Sequence, residues 1–218
     1  MPVNRKLVVL AALVAALGCA ARADEKGRGA QLFQLCAQCH GANAEGSELA
    51  KAPDIAGLPA WYLVAQLKAF RSGVRGLHPD DAAGLRMYPM AQYLRTDADV
   101  TAVAAYIASL PLVAAEPVVE GGDAQKGAAL YTPCTACHGA DGGGNQALNA
   151  PPLRGKSDWY LVSALQKFKA GVRGGKPDNP NAALMRGMAQ ILADEQAMKD
   201  VVAYIGTLSK QTAANAPK

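Results

Sequence analysis

Apolar residues recur along this chain at helical spacing, in two separate stretches of each half. Leu63, Val64, Leu67 and Phe70 fall at intervals of three and four, as do Val100, Val103, Ala104 and Ile107. That is the pattern of helices with one buried face. No segment sustains apolar–polar alternation of period two, so the pattern predicts no sheet and an all-α fold. Punctuation residues set the ends. Pro59 suits a first helical position and Gly73 closes that helix. Thr96 reads as an N-cap, with Asp97 and Asp99 in the favoured first turn and Pro111 after the end. An earlier helix is expected from about Lys26 to Leu35, ending at a cysteine pair. The corresponding later helices span Ala124 to Tyr131 and about Asp194 to Leu208. The expectation is three helices per half, with Met90 and Met188 in loops just before the last of them.

The halves are copies. Moving the chain by 98 positions lays Cys36 on Cys134, His40 on His138 and Pro53 on Pro151 without a gap. The same shift lays Trp61-Tyr62-Leu63-Val64 on Trp159-Tyr160-Leu161-Val162, Arg75 on Arg173, and Met87 and Met90 on Met185 and Met188. Two tandem domains are expected over residues 24–110 and 123–209, joined by a linker over 111–122 that Pro111, Pro117 and Gly121-Gly122 keep from becoming helical. Residues 210–218 read as a flexible tail.

Residues 1–23 resemble a secretory signal. Arg5 and Lys6 precede an apolar run of 11 residues, Leu7 to Leu17, and Ala21-Arg22-Ala23 forms a small-x-small cleavage site. The run is short for a membrane span, which takes about 20 residues. Periplasmic export with cleavage after Ala23 is expected, removing Cys19. The formal charge of +4 then shrinks, because Arg5, Lys6 and Arg22 leave 19 basic against 18 acidic groups. No basic face suited to nucleic acid is visible. Half the residues are hydrophobic but only 6% are aromatic, which leaves room for a large apolar cofactor in the cores.

The four remaining cysteines carry the chemistry. Cys36-Ala37-Gln38-Cys39-His40 and Cys134-Thr135-Ala136-Cys137-His138 are both C-x-x-C-H, the attachment motif for c-type haem. Two thiols bond the porphyrin edge and the next residue offers an imidazole to the iron. A thioredoxin-like pair would want a βαβ setting. Zinc would want four N or S ligands. Each copy supplies two thiols and one histidine. A disulfide remains open chemically if haem is never loaded. A second axial ligand of methionine raises the potential and suits electron transfer. Met90 and Met188 are the candidates, each followed by Ala-Gln. Met87, Met185 and the unmatched Met198 read as flexible filler. His78, matched by Lys176, reads as a surface residue.

These motifs, together with Ala-Pro-Asp-Ile-Ala-Gly at 52–57, Ala-Pro-Pro-Leu-Arg-Gly at 150–155 and the Met-Ala-Gln segments, make the mature chain resemble the class I cytochrome c family. The two-domain dihaem c4 type is the nearest form. The resemblance implies tandem cytochrome c-like domains, each wrapped around one covalent haem c. It implies a close crossing of the first and last helices at Gly29 with Tyr106 and at Gly127 with Tyr204. It also implies that the carbonyls of Pro53 and Pro151 accept from His40 and His138, and it favours Met90 and Met188 as ligands. Trp61, Tyr62, Arg75, Trp159, Tyr160 and Arg173 are candidates to hold haem propionates, with ordinary core and capping roles as the alternative. The expected work is single-electron carriage, not catalysis. Donors and acceptors would be redox proteins such as a quinol-oxidising complex and a terminal oxidase or reductase, met by peripheral association with membrane complexes. A cytochrome subunit fixed to a dehydrogenase, or a peroxidase-like enzyme with an open iron position, are the rivals.

Overall fold

The computed structural model describes residues 27–113 and 115–214. The expected export signal, residues 1–23, lies outside them. Among the described residues the chain is helical, its only extended pairings being the isolated bridges Ser47–Ala52 and Asn145–Ala150. The first copy holds α1 (27–40), α2 (Ala60–Arg71), α3 (Ala82–Gln92) and α4 (Asp97–Ala108). The second holds α5 (Ala124–Tyr131), a 3₁₀ turn (Thr132–Cys134), α6 (Thr135–His138), α7 (Asp158–Lys169), α8 (Pro180–Ala189) and α9 (Glu195–Ala214). A short 3₁₀ turn, Gln146–Leu148, follows α6 in the loop.

Several expectations shift. α1 continues past Leu35 through both cysteines to His40, which puts the whole motif on one helix. In the second copy Pro133 stands where Leu35 stands in the first. Lacking an N–H, it interrupts the helix with the 3₁₀ turn. Met90 and Met188 lie in helices α3 and α8, not in loops. These helices escaped the periodicity reading because what they bury is small, Gly84 and Ala91 in α3 and Ala189 in α8. The first copy therefore has one helix more than expected, and the second has two, because the 3₁₀ turn splits its first helix into α5 and α6. The tail expected from residue 210 is helical as far as Ala214.

Local chemistry sets the helix ends. Thr96 Oγ1 accepts from Asp99 N and the Asp99 carboxylate accepts from Thr96 N, a reciprocal capping box. Asp81 and Asn179 cap α3 and α8 through Gly84 N and Ala182 N. Gly73 (φ +73°) and Gly171 (φ +77°) follow the caps of α2 and α7 in the left-handed region that glycine enters freely.

The two cores are built alike. In the first, Leu32 and Phe33 of α1 pack with Leu63 and Leu67 of α2 and with Val100, Val103 and Ile107 of α4. In the second, Tyr131 packs with Leu161, Val162, Val201, Val202 and Ile205. The first and last helices of each copy cross closely. A Cβ placed at Gly29 would strike the Ala102 carbonyl and lie 2.8 Å from Tyr106 Cβ. One at Gly127 would strike the Asp200 carbonyl and lie 2.9 Å from Tyr204 Cβ. Both glycines are needed where the sequence resemblance put them. Phe33 and Tyr106 meet at 5.5 Å between ring centroids, as do Tyr131 and Tyr204. No helix among the described residues is long and apolar enough to cross a membrane.

Candidate functional site: two thiol–imidazole centres and the seam between them

Helical spacing aligns the motif. Cys36, Cys39 and His40 are separated by three and one positions, so both thiols and the imidazole emerge from one side of α1. All four motif thiols are free; Cys36 and Cys134 are half-buried, Cys39 and Cys137 exposed. Burial pushes the Cys36 thiol up to about 11 and raises Cys134 as well. Thiols so protonated lack the lowered pKa of a thioredoxin-type nucleophile.

The histidines show the clearest geometry. His40 Nδ1 donates to Pro53 O at 2.8 Å, and His138 Nδ1 donates to Pro151 O at 2.8 Å. A carbonyl only accepts, so the proton sits on Nδ1 and the Nε2 lone pair is left to bind a metal. Both rings are largely buried, 8% and 5% exposed. Burial lowers the pKa of each, against the raising effect of the proline carbonyls, and keeps the imidazoles neutral as ligands must be. Among the described residues no group of three or more His, Cys, Asp or Glu side chains is placed to hold a bare metal ion. This donor set, two thiols and one free imidazole nitrogen per copy, fits a porphyrin that brings its own four nitrogens.

The methionines divide. Met87 is half-buried against the first core. Met90 and Met188 instead leave 39% and 36% of their surface exposed and are not part of either protein core.

The six residues considered for propionates gather mostly at the seam between the copies. Arg75 Nη2 donates to Tyr160 Oη at 3.2 Å, and its Nη1 donates to Gln66 Oε1 at 2.5 Å. Tyr62 lies within electrostatic reach of Arg173 and Arg75. The guanidiniums of Arg75 and Arg173 lie 4.3 Å over Phe70 and Phe168, a matched cation–π pair. Burial opposes ionisation of Tyr160, but Arg75 and Arg173 overcome it and pull its pKa down to about 8. Tyr62 moves the other way, burial dominating. Arg75 Nε is buried with no hydrogen-bond partner among the described residues. The tryptophans make ring contacts instead. Trp61 meets Tyr62 edge-on at 5.8 Å, and Trp159 takes the Lys51 ammonium at 5.7 Å from its ring.

The cytochrome c family model matches this chain twice, over residues 27–111 and 124–209. The chain belongs to the cytochrome c family. Cytochrome c4 from Azotobacter vinelandii is 31% identical over 209 residues, covering 92% of this chain and 95% of that protein. The thiosulfate dehydrogenase electron acceptor of Stutzerimonas stutzeri (strain A1501) is 34% identical over 183 residues, covering 78% and 79%. The solved structure of Acidithiobacillus ferrooxidans cytochrome c4 superposes with a TM-score of 0.65 at 29% identity, covering 80% of this chain and 99% of that one. This cytochrome is of the dihaem c4 type, binds one haem c covalently in each domain, and carries electrons rather than catalysing a reaction.

The residues that sequence reasoning missed lie at the seam: Asp54, Asp81, Lys156, Lys167 and Lys176. Their partners are far away in sequence, so no local pattern marks them. The signal that could have found them is mismatch, since each sits where the two copies differ.

Proposed function

We propose that this cytochrome carries single electrons between respiratory partners in the periplasm, each domain gripping its iron between imidazole and thioether. Cys36 and Cys39 bond the first haem and Cys134 and Cys137 the second. His40 and His138 would bind the iron through Nε2, and Met90 and Met188 through sulfur. The observation that carries this reading is the pair of 2.8 Å bonds from His Nδ1 to the Pro53 and Pro151 carbonyls, made identically in both copies. They fix ring direction and tautomer, and so aim Nε2. The exposed sulfur side chains of Met90 and Met188 support their choice over Met87, which has protein to pack against. A haem bound covalently by the protein supplies a metal that changes oxidation state by one electron. Held by histidine and methionine together, such a metal would have no position for substrate, and the soft sulfur would favour its reduced form.

Arg75, Arg173, Tyr62 and Tyr160 are the residues best placed for propionates. The buried Arg75 Nε, without an acceptor among the described residues, offers a donor for one. Trp61 and Trp159 serve mainly as packing. Export rests on the signal-like residues 1–23. A quinol-oxidising complex as donor and a terminal oxidase or reductase as acceptor fit a high-potential carrier. The name of the Stutzerimonas stutzeri relative favours a second donor, a thiosulfate dehydrogenase.

The test is the spectrum of holoprotein matured in a competent periplasm. Two haems per chain are expected by pyridine haemochrome, with the weak far-red band of thioether-ligated ferric haem. Met90→Ala and Met188→Ala should each remove about half of that band, and Met87→Ala none; equal loss with Met87→Ala overturns the ligand choice. Stopped-flow mixing with each reduced donor then decides between the partners.

A further inference from the structure

The domains are copies, but the contact between them is not symmetric. Three lysines of the second domain end on acceptors of the first. Lys156 Nζ lies 3.0 Å from Asp54 Oδ2 and donates to Ala56 O at 2.8 Å. Lys167 Nζ meets Asp81 Oδ1 at 2.7 Å, and Lys176 Nζ donates to Gly73 O at 2.6 Å. The positions 98 residues earlier are Leu58, Ala69 and His78, so the first domain returns no lysine at these places.

The Asp54–Lys156 pair is the deepest of these contacts, its side chains 2% and 5% exposed. Ser157 of the second domain gives Asp54 Oδ1 two hydrogen bonds, from N at 2.8 Å and from Oγ at 2.5 Å. Asp54 Oδ2 accepts no well-aligned hydrogen bond among the described residues, so the ammonium of Lys156 is what balances it. A buried carboxylate needs such a partner. Its position gives it consequence. Asp54 directly follows Pro53, whose carbonyl holds His40, and its charge acts on that imidazole. In the second domain the equivalent residue is Pro152, which is uncharged. One haem site therefore has an acidic group beside its proximal histidine, and the group's counter-charge comes from the other domain.

We infer that Lys156, a residue of the second domain, sets the reduction potential of the first domain's haem by neutralising Asp54 beside His40. The inference rests on His40 being the iron ligand. Ferric haem carries one more positive charge than ferrous. An unbalanced carboxylate nearby favours the ferric form and lowers the potential; an unbalanced ammonium raises it. Charges buried at a seam act over longer distances than exposed ones. Lys156 is a positioning residue here, acting on the iron only through Asp54. It gives the two repeats different potentials without changing either ligand set, and it makes the first potential depend on the domains being docked.

The experiment is a redox titration of dihaem holoprotein, each haem followed by its own hyperfine-shifted NMR resonances. Lys156→Met should lower the first haem's potential, favouring its ferric form about tenfold, which for one electron is about 59 mV. Asp54→Asn should raise the same potential. Lys156→Arg, which keeps the charge, should leave it near wild type, and the double variant Lys156→Met with Asp54→Asn should return toward it. The second haem should hold its value throughout. Lys156→Met and Lys156→Arg acting alike, both haems moving together, or neither moving would each overturn the inference. Loss of one haem or of histidine ligation in the unmodified protein would show first in the haemochrome and ligand spectra. That result would overturn the ligand assignment and this inference with it, whereas unshifted potentials in intact dihaem protein would overturn the inference alone.

Discussion

Gly127→Ala puts one methyl group where α5 crosses α9, and the structure says what it meets. The nearest atoms are the Asp200 carbonyl oxygen and carbon and Tyr204 Cβ, the last at 2.9 Å. None is the far end of a flexible side chain, so the two helices themselves must move apart. Overpacking of this kind costs about 1–3 kcal/mol. Against it, alanine in a helix gains about 0.5–1 kcal/mol over glycine. The balance is a destabilisation of up to about 2.5 kcal/mol, centred near 1 kcal/mol, and at about 4–8 °C per kcal/mol for a domain of this size the melting temperature falls by several degrees. Gly206→Ala is the matched control. It lies inside α9, with nothing within 4 Å of its added methyl, so only the propensity gain remains and the melt should rise by a few degrees. The assay is calorimetry of the two holoproteins beside wild type, with the far-red band recorded to follow the haem, because α5 runs directly into Cys134 and Cys137. If Gly127→Ala melts as high as Gly206→Ala, the helices do not approach as closely as described and the account of the crossing fails.

Thr96→Ala removes the capping box at α4 and should cost about 1 kcal/mol in urea denaturation; an unchanged midpoint would mean the free N–H groups are equally well served by water. Asp81 carries a pH dependence whose sign follows from its surroundings. Burial alone would raise its pKa, but the Lys167 ammonium and the Gly84 N–H outweigh it and hold the carboxyl below the ordinary range. Its stabilising effect is therefore complete above the unfolded value of about 3.9 and disappears as pH falls through the lower folded value. Thermal melts from neutral pH down to about pH 2 should show that loss in wild type and less of it in Asp81→Asn, which still caps α3; parallel curves would remove the Lys167–Asp81 contact from the account. Tyr160→Phe deletes the hydroxyl that receives Arg75 Nη2 at 3.2 Å and should shift haem-to-haem electron exchange more than it shifts the ligand spectra, read by electron-exchange NMR; an equal change in ligand spectra would mean the seam supports the irons directly.

What the sequence made legible were the features that repeat or that obey a local rule. The C-x-x-C-H motifs, the Thr96 cap and the stripes of α2 and α4 all depend on residues within a few positions of one another, or on the two copies agreeing, while the roles of the Pro53 and Pro151 carbonyls were implied by the family resemblance. The methionine helices were not legible, because α3 and α8 bury glycine and alanine and turn Leu85, Met90, Leu184 and Met188 outward. A rule that looks for large apolar residues on the hidden face finds nothing there.

The seam was illegible for the opposite reason. Comparing copies rewards agreement and passes over Lys156, Lys167, Lys176 and Asp54, where the copies disagree. Yet two identical haem domains in one chain would have equal potentials and no preferred order of filling. Any difference between the irons must come from unmatched residues or from unequal exposure. Asp54 and Lys156 are unmatched and buried together, and Asp54 directly follows the residue whose carbonyl holds His40. The repeat therefore explains why this chain holds two haems, while its departures from repetition, concentrated where the domains meet, are where the two haems become distinguishable to an arriving electron.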